Sequence, residues 1–548
     1  MSLQPTPIGP VPDETARVAH AAFPTGNMYV QLRDELGRVY DDANFSELFP
    51  TRGQPAEVPW RLALVTVLQF AEGLSDRQAA DAVRGRIDWK YLLGLDLTDP
   101  GFDHTVLSEF RSRLVAGHAE VVLLDALLAR SRELGLFRPR GRQRTDSTHV
   151  LAAVRVLNRL ERVGETLRAA LNSLAVVAPD WLQSVAPPAW YQRYGSRVEN
   201  YDLPKSDAAR RDLAATIAAD GQLLLNTIDA AVEQPWLNQV PTVRVLRQVW
   251  AEQFVQERGR LRWREVNEIP IPAEMISSPY DPEARYSSKR SVEWVGYKVH
   301  LTETCDADTP HLITNVESTP ASRPDDTMLA VVHGSLAAMD RLPAEHLVDK
   351  GYTDSHVLVD SRREYGVSVI GPVADDPSWQ AQAGSGFAKG DFIIDWDART
   401  AICPSGKRSF SWLTNPDATK PETTVVRFSR RDCSPCPVRT QCTRRRGEPR
   451  ELVLQPRVEH EALWAARRHQ QTDDFKVQYA ARAGVEGTHA QAVRRAGLRR
   501  SRYIGLAKTR LQHIATAAAV NLVRINEWCS GTPLAKTRVS RFAALQSP

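Results

Sequence analysis

The sequence predicts an α/β protein: a mixed sheet flanked by helices, preceded by an all-α N-terminal segment and interrupted by a helical insertion and by a small, cysteine-containing β-rich insertion. Three observations lead there. Apolar residues recur at helical spacing through roughly the first 137 positions. Val295, Tyr297, Val299 and Leu301 alternate with Gly296, Lys298, His300 and Thr302, the period-2 pattern of a half-buried strand. Residues 346–370 then read strand, helix, strand, the order that joins parallel neighbours through a crossover.

A chain of 548 residues is too long for one ordinary core, so three or four structural units are expected. The hydrophobic fraction of 42% and charged fraction of 25% are those of a soluble globular protein, and the formal net charge of +4 is too small to name a partner. The start, MSLQPTPIGPVPDE, lacks the basic and apolar regions of a signal peptide. Leu62 to Ala71 and Ile514 to Val523 fall far short of the ~20 apolar residues that span a bilayer. A cytoplasmic protein with no membrane partner is expected.

In chain order, residues 1 to about 15 are Pro-rich and expected to be loosely ordered. Leu62, Val65 and Leu68 mark one helix, Ser75-Asp-Arg-Gln78 has the form of a capping box, and Leu107, Phe110 and Leu114 mark another helix after the Asp99-Pro-Gly turn. Residues 1–137 form a helical unit for DNA binding, dimerisation or packing. Residues 138–150 hold the first strand of the sheet, with β-branched residues around Asp146; a carboxylate in mid-strand is costly to bury unless it is paired or binds a metal.

Residues 151–285 turn helical, with Val156, Leu160, Val163, Leu167, Leu171 and Leu174 as an apolar stripe and Trp181, Trp190, Trp236, Trp250 and Trp263 as core candidates. The sheet resumes over 286–375. A hairpin turns at Asp306 to Pro310, its second strand carrying Leu312, Thr314 and Val316; a helix follows, capped near Asp325 or Asp326, with Leu329, Val332, Leu336 and Met339 inward. Asp349 stands where the next strand ends, the place where α/β sheets bind ligands, whereas Asp354 reads as a helix cap. Residues 376–455 are the β-rich insertion, 456–530 the closing helices, and 531–548 a flexible tail.

Between Tyr479 and Tyr503, a single helix puts Tyr479, Arg482, Glu486, Ala490 and Val493 on one face, so a carboxylate is flanked by a phenol and a guanidinium. Arg494, Arg495, Arg499, Arg500, Arg502, Lys508 and Arg510 follow with no acidic residue before Glu527, a run that repels itself unless an anion lies against it. The spacing Tyr479-x2-Arg482-x3-Glu486 resembles the Y-R-E signature of DDE transposases from bacterial insertion sequences. Where that signature has a further basic residue, this chain has Val493, followed by Arg494 and Arg495. DKGYTD at 349–354 is similar to the second-aspartate motif of the same family, and GLSDRQAADAV, WKYLLGL and FRSRL resemble its N-terminal helical domain.

The resemblance implies an RNase H-like sheet, with Asp146, Asp349 and Glu486 as catalytic metal-binding carboxylates. It implies double-stranded DNA as partner, a homodimer holding two element ends, and a nucleoid-associated state on DNA. It implies cleavage that exposes a 3′-hydroxyl and attack of that hydroxyl on target DNA. Three carboxylates brought together repel one another unless cations neutralise them, and oxygen-only ligands select Mg²⁺ or Mn²⁺. Two such ions can activate water and hold both oxygens of an in-line displacement. Tyr479, Arg482, Arg494, Arg495, Arg499, Arg500, Arg502 and Lys508 are the candidate DNA contacts, binding backbone without reading sequence. A domesticated DNA-binding descendant and a nuclease that cuts without joining are the rival readings.

Cys403, Cys433, Cys436 and Cys442 form a group; Cys433-Ser-Pro-Cys436 has zinc-knuckle spacing and Cys403-Pro-Ser-Gly406 has a knuckle's turn with one sulfur. A structural Zn²⁺, unligated thiols and an iron–sulfur cluster are the open readings, and the neighbouring Arg444 to Arg446 could lay this unit against DNA.

Overall fold

The structure, a computed structural model, describes residues 2, 3, 5, 8–289, 291–415, 422–533 and 545. Positions 534–544 and 546–548 of the expected C-terminal tail lie outside the described residues.

The fold is α/β, with a mixed RNase H-like sheet at its centre. Its strands are β1 (Arg140–Leu151), β4 (Arg285–Lys289), β5 (Val292–Thr304), β6 (Ile313–Pro320), β7 (Pro343–Val348) and β8 (Ser368–Ile370), while β2 (Phe254–Glu257) and β3 (Arg260–Trp263) form a separate hairpin. In space the order is β4-β5-β1-β7-β8, with β6 continuing along the same edge of β5 as β4. β5 runs antiparallel to β1 and to β6, and β7 and β8 run parallel to β1. The hairpin and the crossover are therefore both present.

β5 is more enclosed than its alternation predicts: from Val299 to Thr304 every residue is buried, the polar ones included. The reason is its place inside the sheet, covered on both faces. One face meets the helices Gly484–Ala496 and Leu506–Cys529; on the other, His300 Nδ1 lies 2.6 Å from the Tyr352 hydroxyl. The long helix Leu506–Cys529 lies against β6, where Asn521 holds both the N–H and the C=O of Ile313 at 2.8 Å.

That long helix also packs on Pro59–Glu72 and Val122–Glu133, so the N-terminal helices share one apolar core with the sheet. The Ser75 capping box forms as predicted, closing the start of Asp76–Gly85, and Leu107, Phe110 and Leu114 are buried on Thr105–Ala116. A helix also forms at Asp13–Ala22, where the first residues were expected to be loose.

The helical insertion has its own core, built by Arg159–Val177, Asp207–Ala230 and Pro241–Gln253. Gly221 lets Trp250 approach so closely that a Cβ there would stand 2.0 Å from the ring. Trp190 and Trp250 are buried and Trp181 and Trp263 partly so, but Trp236 is exposed. Val156 does not belong to the stripe: it precedes the helix, whose cap is Asn158, and is 70% exposed. Two other details differ. Asp325 does not cap its helix, because its carboxylate is taken by Ser147 Oγ at 3.1 Å and Lys298 Nζ at 3.0 Å. Met339 follows that helix and is exposed. Asp354 and Gly366, by contrast, close the two ends of Ser355–Tyr365 as expected.

Candidate active site

Asp146 occupies the middle of β1, paired with Leu301 across the sheet. Thr145 is in register with Val348 of β7, so the next step along both strands sets Asp146 beside Asp349, one residue past the end of β7. Asp349 turns its carboxylate onto the following loop, accepting the Gly351 N–H at 2.9 Å. Asp146 accepts the Ser147 N–H at 2.8 Å.

The third carboxylate comes from the other end of the chain. The expected single helix is interrupted: Asp473–Ala480 gives way to a 3₁₀ turn, Ala481–Ala483, and a new helix starts at Gly484. The break matters because it turns Arg482 inward. Its guanidinium stands 2.8 Å from Asp146, 3.8 Å from Asp349 and 3.4 Å from Glu486. One cation thus gathers all three carboxylates, itself only 14% exposed, whereas the Glu486 side chain is 71% exposed. The buried face of the new helix is instead Val485, Thr488, His489, Ala492 and Ala496.

Burial pushes the Asp146 pKa to about 6, against the pull of Arg482 and with Asp349 adding to the rise. Burial works to lower Arg482, but Asp146, Tyr479, Asp349 and Glu486 outweigh it and hold the guanidinium above its ordinary value. The donor set is all oxygen, which suits Mg²⁺ or Mn²⁺. Among the described residues, no three His, Cys, Asp or Glu side chains are drawn close enough to hold a metal ion. The carboxylates surround Arg482 instead, so the residues fit a divalent ion in chemistry and charge, with the guanidinium balancing that charge.

What holds the site is a buried network that the sequence reading did not single out. Glu303 of β5, fully buried, accepts from Arg144 Nε at 2.7 Å, Arg524 Nη1 at 2.7 Å and Thr488 Oγ1 at 2.6 Å. Burial would raise its pKa, but Arg524 and Arg144 outweigh that and keep it below the usual carboxylate range. Arg144 also donates to the Ala481 carbonyl of the 3₁₀ turn, and Arg524 donates to Thr488 at 2.6 Å. β1, β5, the Arg482 turn, the Glu486 helix and the long C-terminal helix are therefore tied through one carboxylate. The trace of it in the sequence is a charged residue within each strand, Arg144 and Glu303; that they stand in register across β1 and β5 is known only from the fold.

The remaining candidates are spread out. Tyr479 stacks on Phe475 at 5.3 Å, beside Leu347 and Ile370 at the strand ends. Arg494, Arg495, Arg500 and Lys508 are exposed. Arg499 donates to Thr148 Oγ1 at 3.0 Å, and its carbonyl accepts the Leu151 N–H, so the chain after the helix runs beside the end of β1. Arg502 lies over the Phe70 ring and donates to the Leu74 carbonyl, and Arg510 pairs with Glu120, so both face the N-terminal helices.

Residues 402–526 match the transposase DDE domain, a span that holds Glu486 but neither aspartate, and residues 18–113 match a transposase domain (DUF772). No curated protein and no solved structure matches the chain. No described helix is long and apolar enough to cross a membrane. With a transposase-domain match toward each end and an RNase H-like sheet between, these findings support a DDE transposase of the insertion-sequence type.

Proposed function

We propose that the protein cuts DNA at the ends of an insertion sequence and joins the exposed 3′-hydroxyl to target DNA, with Asp146, Asp349 and Glu486 as its catalytic, metal-holding residues. The observation that carries this reading is the meeting of these three carboxylates, from β1, the end of β7 and the closing helix, around Arg482. When bound, a pair of Mg²⁺ or Mn²⁺ ions would supply charge for the phosphodiester transition state and a nucleophile of lowered pKa.

The chain's own residues account for the rest. Asp146 lies on β1 and Asp349 one residue past the end of the neighbouring β7, so the β1–β7 ladder sets the two backbones side by side. Arg482 balances the carboxylates and has the planar, five-donor head that suits a phosphate once they have another cation. Exposed Arg494, Arg495, Arg500 and Lys508, with Arg499 at the end of β1, give a basic approach to the site that would hold DNA backbone. The helices of 1–137 would bind DNA or a second copy, since two element ends must be held together. The protein would act in the cytoplasm, on the nucleoid. A zinc ion on the four cysteines would serve the fold of the insertion and take no part in this chemistry.

The test is cleavage and joining on DNA carrying the element's ends, with Mg²⁺ or Mn²⁺. Wild type is expected to cut and to join a pre-cut 3′-hydroxyl end, while Asp146→Asn, Asp349→Asn and Glu486→Gln bind DNA and do neither. Binding without cutting would make the protein a DNA-binding descendant. Cutting without joining would make it a nuclease.

A further inference from the structure

Between β8 and the helices that carry Arg482 and Glu486, the chain leaves the sheet and builds a separate unit. A three-stranded antiparallel sheet, β11 (Ser411–Thr414), β12 (Thr424–Arg427) and β13 (Glu451–Leu454), sits beside the pair β9 (Ile393–Asp395) and β10 (Thr400–Ile402). Its core is small: Phe392, Ala401, Val426, Phe428, Leu452 and Leu454 are its buried apolar side chains. So small a core in a unit under about 80 residues ordinarily needs a disulfide or a metal as staple. No disulfide is formed, since all four cysteines of the unit are free.

Those four thiols come from three stretches of chain and line one cavity. Cys403, Cys433 and Cys442 also pack against the apolar core. Cys403 opens a tight turn: the Gly406 N–H donates to the Cys403 carbonyl at 2.8 Å, with Gly406 at φ +74°, and the Lys407 N–H donates to Cys403 Sγ at 3.3 Å. The turn brings Ser405 Oγ to 3.7 Å from Cys436 Sγ, which sets the Cys403 loop against the Cys433–Cys436 pair. Cys442 ends the helical turn Arg439–Cys442, and its carbonyl is held by Arg450 at 3.1 Å and Gln380 at 3.0 Å.

We infer that Cys403, Cys433, Cys436 and Cys442 form a structural Zn²⁺ site that staples the 376–455 unit together. Four sulfurs are a closed tetrahedral set for zinc, leaving no open position for chemistry. Since no three of these thiols stand at ligand distance among the described residues, the ion draws them the rest of the way as it binds. The role is independent of the strand-transfer reading, because the site can be filled or emptied whether or not DNA is cut.

The experiment is metal analysis of the full-length chain purified without added metal, followed by removal of the metal under reducing conditions and titration with Co²⁺. The expected result is one zinc per chain, lost in Cys403→Ser and in Cys436→Ser and retained in Cys529→Ser. The Co²⁺ form should show thiolate charge-transfer absorption and tetrahedral ligand-field bands, and metal removal should open 376–455 to protease before the rest of the chain. If the wild-type chain retains no zinc and Co²⁺ gives no thiolate band, the site does not exist. Iron with acid-labile sulfide in place of zinc overturns the assignment in favour of a cluster. The two serine variants are read for metal by analysis and for folding by circular dichroism, so zinc kept by folded variants also counts against it.

Discussion

Arg482 does the work of a cation in a site built from three carboxylates, and its removal separates two roles. In metal-free protein, Arg482→Ala leaves a buried Asp146 beside Asp349 without a counter-charge; breaking such a pair costs about 3 kcal/mol or somewhat less, given that Glu486 is exposed. Urea unfolding without divalent ions should show that loss, and saturating Mg²⁺ should remove most of it. A loss of the same size with and without Mg²⁺ would mean that the ion and the guanidinium do not share the site. The same variant should weaken cleavage more than DNA binding, measured side by side; an equal loss of both would count against a role at the carboxylates. Arg482 and Glu486 were legible in the sequence because their spacing stands out. Glu303 was not, because a lone acidic residue in a strand gives no sign of what will be folded against it.

At the scale of elements, the Glu486 helix is positioned through Glu303 and Gly484. Glu303→Ala leaves Arg144 and Arg524 buried without their carboxylate, a loss of about 3–5 kcal/mol that should appear in equilibrium unfolding. Gly484→Ala is a sharper test, since alanine is better than glycine inside a helix by about 1 kcal/mol. Here a Cβ would meet the Arg144 guanidinium at 2.2 Å, and Arg144 cannot swing away without leaving Glu303 and Ala481. Gly484→Ala should therefore lower the melting temperature and slow cleavage, and a stabilised variant would show that Arg144 is not held there. Helix starts and stops were the most legible elements, as at Ser75, Asp354 and Gly366, because capping is a local exchange of hydrogen bonds. The break at Ala481–Ala483 was not legible, since these residues favour helix and the contacts on the tighter turn, Arg482 with Asp146 and the Ala481 carbonyl with Arg144, come from across the fold.

For the whole molecule, the buried histidines set an acid limit. Burial holds His300, His333, His460 and His489 down to about 4 and His513 to about 3, so each stays neutral in the folded chain. Unfolded histidine protonates near 6.5, so the stability these groups contribute is complete above that pH and is lost as pH falls toward 4. Each contributes a slope of up to about 1.4 kcal/mol per pH unit in that window, before any offset from carboxylates. The melting temperature should fall steeply from pH 7 to pH 5, and His513→Gln, on the long helix beside Ser318, should flatten the fall. A melting temperature independent of pH across that range would mean these imidazoles are not buried as neutral groups.

By itself the sequence determined what depends on neighbours along the chain: the capping residues, the β1 and β5 strands, the β7–β8 crossover, and the Tyr479-Arg482-Glu486 spacing that resembles a transposase signature. Only the tertiary structure decided what depends on neighbours across it. β5 is enclosed on both faces because helices from the far end of the chain cover it, and the N-terminal helices join the sheet's core through Leu506–Cys529. Arg482 turns inward, and Glu303 of β5 binds side chains from three other elements, because burying a charge is tolerable only where an opposite charge arrives from elsewhere in the fold.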